Sequence, residues 1–109
     1  MFDPTHSRFA TFGVISSLPG ELIDSIWMII DQNLQGVVDL HNLLTFAVEN
    51  HDGQVTMHFS QEDDPTELSV DLPFDYQPSF PAKVMAYDDG NRQTILLPSE
   101  GKREGNLDL

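Results

Sequence analysis

Residues 41–62 read HNLLTFAVENHDGQVTMHFSQE, and the fold turns on how the two apolar triplets in this stretch pair. Asp52-Gly53 is a favoured two-residue hairpin turn. Closing His51 against Gln54 sets Asn50 opposite Val55, Val48 opposite Met57 and Phe46 opposite Phe59. Leu44, Phe46, Val48, Val55, Met57 and Phe59 then share one face, while Thr45, Ala47, Glu49, Thr56, His58 and Ser60 share the other. A slip of one residue would mix the two sets, so the turn and the alternation specify the same antiparallel register.

The same period of two continues toward the C-terminus. In TELSVDLPF (66–74), Leu68, Val70, Leu72 and Phe74 point inward, and Glu67, Ser69 and Asp71 point outward. DYQPSFP (75–81) is a proline-containing loop. AKVMAYDDGNRQTILLP (82–98) predicts a second hairpin about Asp89-Gly90 or Gly90-Asn91, with Val84, Ala86, Ile95 and Leu97 on one face. Met85, Tyr87, Thr94 and Leu96 fall on the other, which makes these strands candidates for the centre of the sheet.

On the N-terminal side the period changes. FATFGV (9–14) reads as a short strand in which Gly13 permits a bend. SSLPGELIDSIWMIIDQ (16–32) reads as an amphipathic helix, with Leu22, Ile26 and Ile30 in one stripe that Ile23 and Trp27 widen. Pro19 suits the first turn, Ser17 is a candidate cap, and Glu21 and Asp24 lie near the positive end of the helix dipole. Trp27 is expected in the core, and Asn33 and Gly36 close the helix. The expected fold class is α+β: a mostly antiparallel sheet of five or six strands with one amphipathic helix packed on it. Residues 1–8 are expected to be a frayed N-terminus, 9–100 a single domain and 101–109 a disordered tail.

Charge narrows the function. The 109 residues hold eighteen acids and five bases, a formal charge of −13. Between Arg8 and Lys83 lie 74 residues with twelve carboxylates and neither lysine nor arginine. Such a field faces water, counterions or a positively charged partner. Direct binding of nucleic acid or of an anionic membrane needs the opposite sign. No cysteine is present, so disulfides, thiolate metal sites and cysteine nucleophiles are excluded. The longest apolar run is far short of the ~20 residues a membrane-spanning helix needs, and MFDPTHSRF does not resemble a signal peptide. A cytoplasmic protein is expected.

Chemistry-bearing motifs are sparse. SQEDDPTE (60–67) lacks the alternate acids, glycine and closing glutamate of a familiar calcium loop, and DDGNRQT has its glycine too early. His6, His41, His51 and His58 show no metal-ligand spacing, and neither a nucleophile elbow nor a phosphate-cradling glycine loop occurs. No enzymatic activity, metal or cofactor is expected. The candidate site is therefore the acids themselves: Glu49, Glu62, Glu67 and Asp71 share outward parity, with Asp63 and Asp64 at the connection between strands. Same-side residues of a strand recur every ~6.6 Å, comparable to the phosphate interval of a nucleic-acid strand.

The ordered motifs R-F-A-T-F-G-V (8–14), L-P-x-x-L (18–22), I-W-x-x-I-D (26–31), Q-E-D-D-P (61–65) and K-V-x-x-x-D-D-G-x-x-x-T-x-L-L (83–97) resemble the Gram-positive family known as domain of unknown function nine-sixty. That resemblance implies a short protein of low-GC bacteria, phages and mobile cassettes, and supplies no catalytic residues. In such a setting the expected function is an accessory inhibitor, one example being an anti-CRISPR against a Cas9-type nuclease. It would mimic nucleic acid and occupy the groove of a basic, nucleic-acid-binding protein. The alternative is an interaction module docking through a sheet edge or apolar patch, its acidity serving solubility alone.

Overall fold

In the computed structural model, which describes residues 1–100, the 41–62 stretch folds as its turn dictates. Strand β2 (Leu43–His51) pairs antiparallel with β3 (Gln54–Ser60), with His51 opposite Gln54, Val48 opposite Met57 and Phe46 opposite Phe59. Asp52 and Gly53 both take positive φ, 53° and 89°, as this tight turn requires. All six residues of the inward set are buried.

Around this hairpin a six-stranded sheet is assembled. It comprises β1 (Ser7–Ala10), β4 (Leu68–Asp75), β5 (Lys83–Asp88) and β6 (Arg92–Leu96) with β2 and β3, in the order β1-β6-β5-β2-β3-β4. Among the described residues only the β1–β6 pair is parallel. The second hairpin turns at Gly90-Asn91: Asp89 N donates to Arg92 O at 3.1 Å, and Gly90 has φ 99°. Strand β5 pairs directly with β2, so these two are the central strands. Pairing of β3 with β4 shifts between Gln54 and Thr56. Pro73 lies in the irregularity, where a residue without an N–H is accommodated on an edge strand.

The helix expected over 16–32 is broken into shorter segments, and part of the strand expected before it is helical too. Helix α1 (Phe12–Ser17) replaces the C-terminal part of the expected 9–14 strand. Thr11 ends the extended chain by capping α1, its Oγ1 accepting from Val14 N at 3.3 Å. Gly13 lies inside α1, where an added Cβ would meet Leu97 Cδ1 at 3.0 Å and Glu100 Oε2 at 2.7 Å. Helix α2 (Gly20–Ile29) has Pro19 at its N-cap, and runs into a π-helical turn (Ile30–Leu34) closed by Gln35 N on Ile30 O at 2.9 Å. Ser17 does not cap α2; its Oγ donates to Gly13 O within α1. Leu22, Ile26, Ile29, Ile30 and Leu34 join the inward faces of the sheet in one core.

The first eight residues are not frayed in the structure. Phe2 is fully buried, its N–H donates to Asp88 Oδ2 at 2.7 Å, and Gln35 Nε2 donates to the carbonyls of Met1 and Phe2. Arg8, in β1, forms a fork on Asp31 at 2.7 and 2.6 Å, donates to Gln93 Oε1, and lies 4.7 Å from the Trp27 ring centroid. Trp27 is packed against the core rather than enclosed by it. The expected tail, 101–109, lies outside the described residues. Among the described residues no helix is long and apolar enough to cross a membrane.

Candidate functional site

The outward face of β2, β3 and β4 carries the acids, and its register decides their spacing. Glu49 pairs with Thr56, and Thr56 with Asp71, so the two carboxylates sit on one line across three strands. Two strand spacings separate them, ~9.6 Å. Along β4 and the residue before it, Ser69 occupies the outward position between Glu67 and Asp71, so those acids are ~13 Å apart. The expected ~6.6 Å ladder of carboxylates is therefore not formed, because a serine stands at the intervening step.

Three of the six candidate acids are engaged within the protein. Asp71 Oδ1 accepts from Thr56 Oγ1 at 2.7 Å. Glu67 Oε1 pairs with His58 Nε2, whose other ring nitrogen meets Ser69 Oγ at 2.7 Å. Asp64 turns back into its own loop: Oδ1 accepts from Thr66 N at 2.8 Å and Oδ2 from Gln61 Nε2 at 3.1 Å. The Thr66 N–H, followed by the Thr66 hydroxyl, Gln61 and His41, holds the Asp64 carboxyl below its ordinary 3.8. Gln61 is itself buried, accepting from His41 N and donating to Asp39 O. Asp64 is thus a loop-shaping residue.

Glu49, Glu62 and Asp63 are exposed. Glu62 and Asp63 wall an open hollow of about 420 Å³ lined also by His41, Asn42, Leu43, Thr45 and Met85. Thr45 and Met85 belong to the outward set, so this hollow opens on the acidic face. Glu49 stands four residues along β2 from Thr45, ~13 Å away. The face therefore carries two groups of acids, separated by a belt of Ala47, His58 and Ser69.

Sequence reasoning placed His58 on the outward face but did not find its partners. The clue was cross-strand: His58 lies opposite Ser69, and Glu67 is the diagonal neighbour. Nor did it find that Arg8, from outside the base-free stretch, neutralises Asp31 within it. The Ser69–His58–Glu67 chain is an aligned hydrogen-bond relay on a sheet face; acyl transfer would further require a cleft and preorganised oxyanion donors.

Comparison with known proteins gives the following. A model of a staphylococcal protein family of unknown function, DUF960, matches residues 7–100. A crystal structure of a protein of unknown function from Enterococcus faecalis is 56% identical to this chain. It superposes with a TM-score of 0.90, the match covering 91% of this chain and 93% of that one. Among curated proteins, none matches. The match over residues 7–100 spans the whole sheet and all three helices, and on it the chain belongs to the DUF960 family.

Proposed function

We propose that this is a cytoplasmic, non-enzymatic binding protein that presents the acidic outward face of β2–β4 to the nucleic-acid groove of a basic partner and occupies it in place of nucleic acid. The observation that carries the reading is the absence of any lysine or arginine over 74 residues, combined with exposed Glu49, Glu62 and Asp63 held on a rigid sheet and its loop. The two-strand separation of Glu49 and Asp71 favours mimicry across a groove rather than along one strand. A spacing of ~10 Å lies within the ~6–12 Å range of duplex groove widths. Cas9-type nucleases and DNA-repair glycosylases are the partner classes to test first, since both hold nucleic acid in basic channels.

The test is an amide variant, Glu49→Gln, Glu62→Gln, Asp63→Asn, Glu67→Gln and Asp71→Asn, leaving Asp64 intact because it shapes the loop. Changes at exposed Glu49, Glu62 and Asp63 should alter stability by no more than ~0.5 kcal/mol each. Glu67→Gln and Asp71→Asn keep an oxygen facing His58 and Thr56, so the circular dichroism spectrum should stay native. Affinity for a captured partner should fall at least tenfold, ~1.4 kcal/mol, and free DNA or RNA should compete with the parent protein. Parent-like affinity in the amide variant rejects the reading.

A second reading is favoured by α1, where Phe12 is 84% and Ile15 58% exposed. Docking through this apolar patch would leave the acids to serve solubility. It predicts binding that resists salt, whereas the charge-driven mode weakens as ionic strength rises.

A further inference from the structure

We propose that the outer edge of β4 is a strand-addition site for an extended, basic segment of the partner. The inference rests on the reading above that the partner is basic, and adds how that partner is held. Strand β4 is eight residues long and ends the sheet. Among the described residues it pairs with β3 alone, leaving one row of backbone donors and acceptors open. The opposite edge, β1, has four residues and carries Arg8.

Three observations give the chemistry of the added strand. Leu68, Val70 and Phe74 on the inward side of β4 are only partly buried, whereas Phe46, Val55 and Phe59 on β2 and β3 are enclosed. An extra strand with apolar residues at alternate positions would cover them. On the outward side β4 and its approach present Glu67, Asp71 and Asp75 with no lysine or arginine among them, His58 of β3 meeting Glu67. Two copies paired edge to edge would bring these like charges together, so the edge selects against itself and for lysine or arginine. Beyond the irregularity, a hollow of about 220 Å³ is lined by Pro19, Leu22, Phe74 and Phe80 together with Glu21 and Asp75. Apolar walls with acids beside them suit a long basic side chain, its stem against the rings and its charge at the carboxylates.

The probe is a capped peptide of alternating lysine and valine, about eight residues long to match the strand. Two isomers carry N-methyl groups on all lysines or on all valines, because in an added strand only one of these sets of N–H groups faces β4. The parent peptide should bind, with amide NMR changes centred on residues 68–72. One methylated isomer should lose at least about tenfold in affinity while the other keeps it. Equal binding by both isomers and the parent overturns strand addition but leaves the acidic-face reading standing. Changes centred on β1 or on the Glu62–Asp63 loop also overturn it, as does an absence of binding by the parent peptide. The acidic-face reading is judged separately, by the amide variant against a protein partner. A glutamate-valine peptide binding as well as the lysine one would reject the basic chemistry in both.

Discussion

Phe46 and Phe59 face each other across β2 and β3 with ring centroids 5.8 Å apart, and each is 1% exposed or less. Phe46→Ala or Phe59→Ala should cost ~3–5 kcal/mol in urea unfolding, the range for a large aromatic removed from a packed core. A loss under ~1 kcal/mol would mean the site collapses around the gap. Carboxylates act at this scale too. Asp3, Asp64 and Asp89 are each held below 3.8, chiefly by the backbone N–H groups of Thr5, Thr66 and Arg92. A depressed folded pKa gives stability that is complete above the unfolded value and lost as pH falls through the folded one. Stability should therefore drop as pH goes below about 3.8, and Asp64→Asn should flatten part of that drop. Identical acid limbs for variant and parent would show that the loop bonds carry no linkage. Phe46 and Phe59 were legible because turn and alternation agree on them. Phe2 was not, since one apolar residue in a polar stretch has no period.

Elements differ in how far their sequence announces them. The 43–60 hairpin carries a turn rule and an unbroken alternation, and both survive folding. The short run 9–14 suits either a strand or a helix, and Thr11 decides between them through a cap that composition does not display. The β3–β4 register was hidden because the connection, residues 61–67, obeys no two-residue turn rule. With it were hidden the Glu67–His58 pair and the interruption of the acidic row by Ser69. Beyond its ladder with β6, strand β1 is held to the rest of the protein by the Arg8 side chain. Arg8→Ala removes the fork on Asp31, the bond to Gln93 and the contact with Trp27, and should cost roughly 1–3 kcal/mol in this partly exposed setting. Arg8→Lys should recover only part of it, because an ammonium cannot reproduce the planar fork. Full recovery by lysine would reduce the interaction to a point charge.

For the molecule as a whole, a formal charge of −13 on 109 residues predicts self-repulsion that salt relieves. Raising NaCl from about 0.01 to about 0.15 M shortens the Debye length from ~30 to ~8 Å, and the melting temperature should rise by a few degrees. A flat response would mean that the acids, with Asp31 neutralised by Arg8, are too dispersed to form a field. The sign and size of the charge were legible in the composition; its division into two groups on one face belongs to the register. The parallel pairing of Ser7 with Arg92 has a consequence for how the chain is made. A ribosome delivers β1 before the other strands, yet its one strand neighbour among the described residues, β6, emerges about eighty residues later. Until then Phe2 has no Asp88 and Thr11 has no Ile95 carbonyl to hold it. The opening segment must wait unpaired while the β2–β3 hairpin, whose contacts are local, forms behind it. The first strand of the sheet to be synthesised is thus the last to be fastened. In the finished protein its amides should be the first in the sheet to exchange with solvent deuterium, ahead of those in β2.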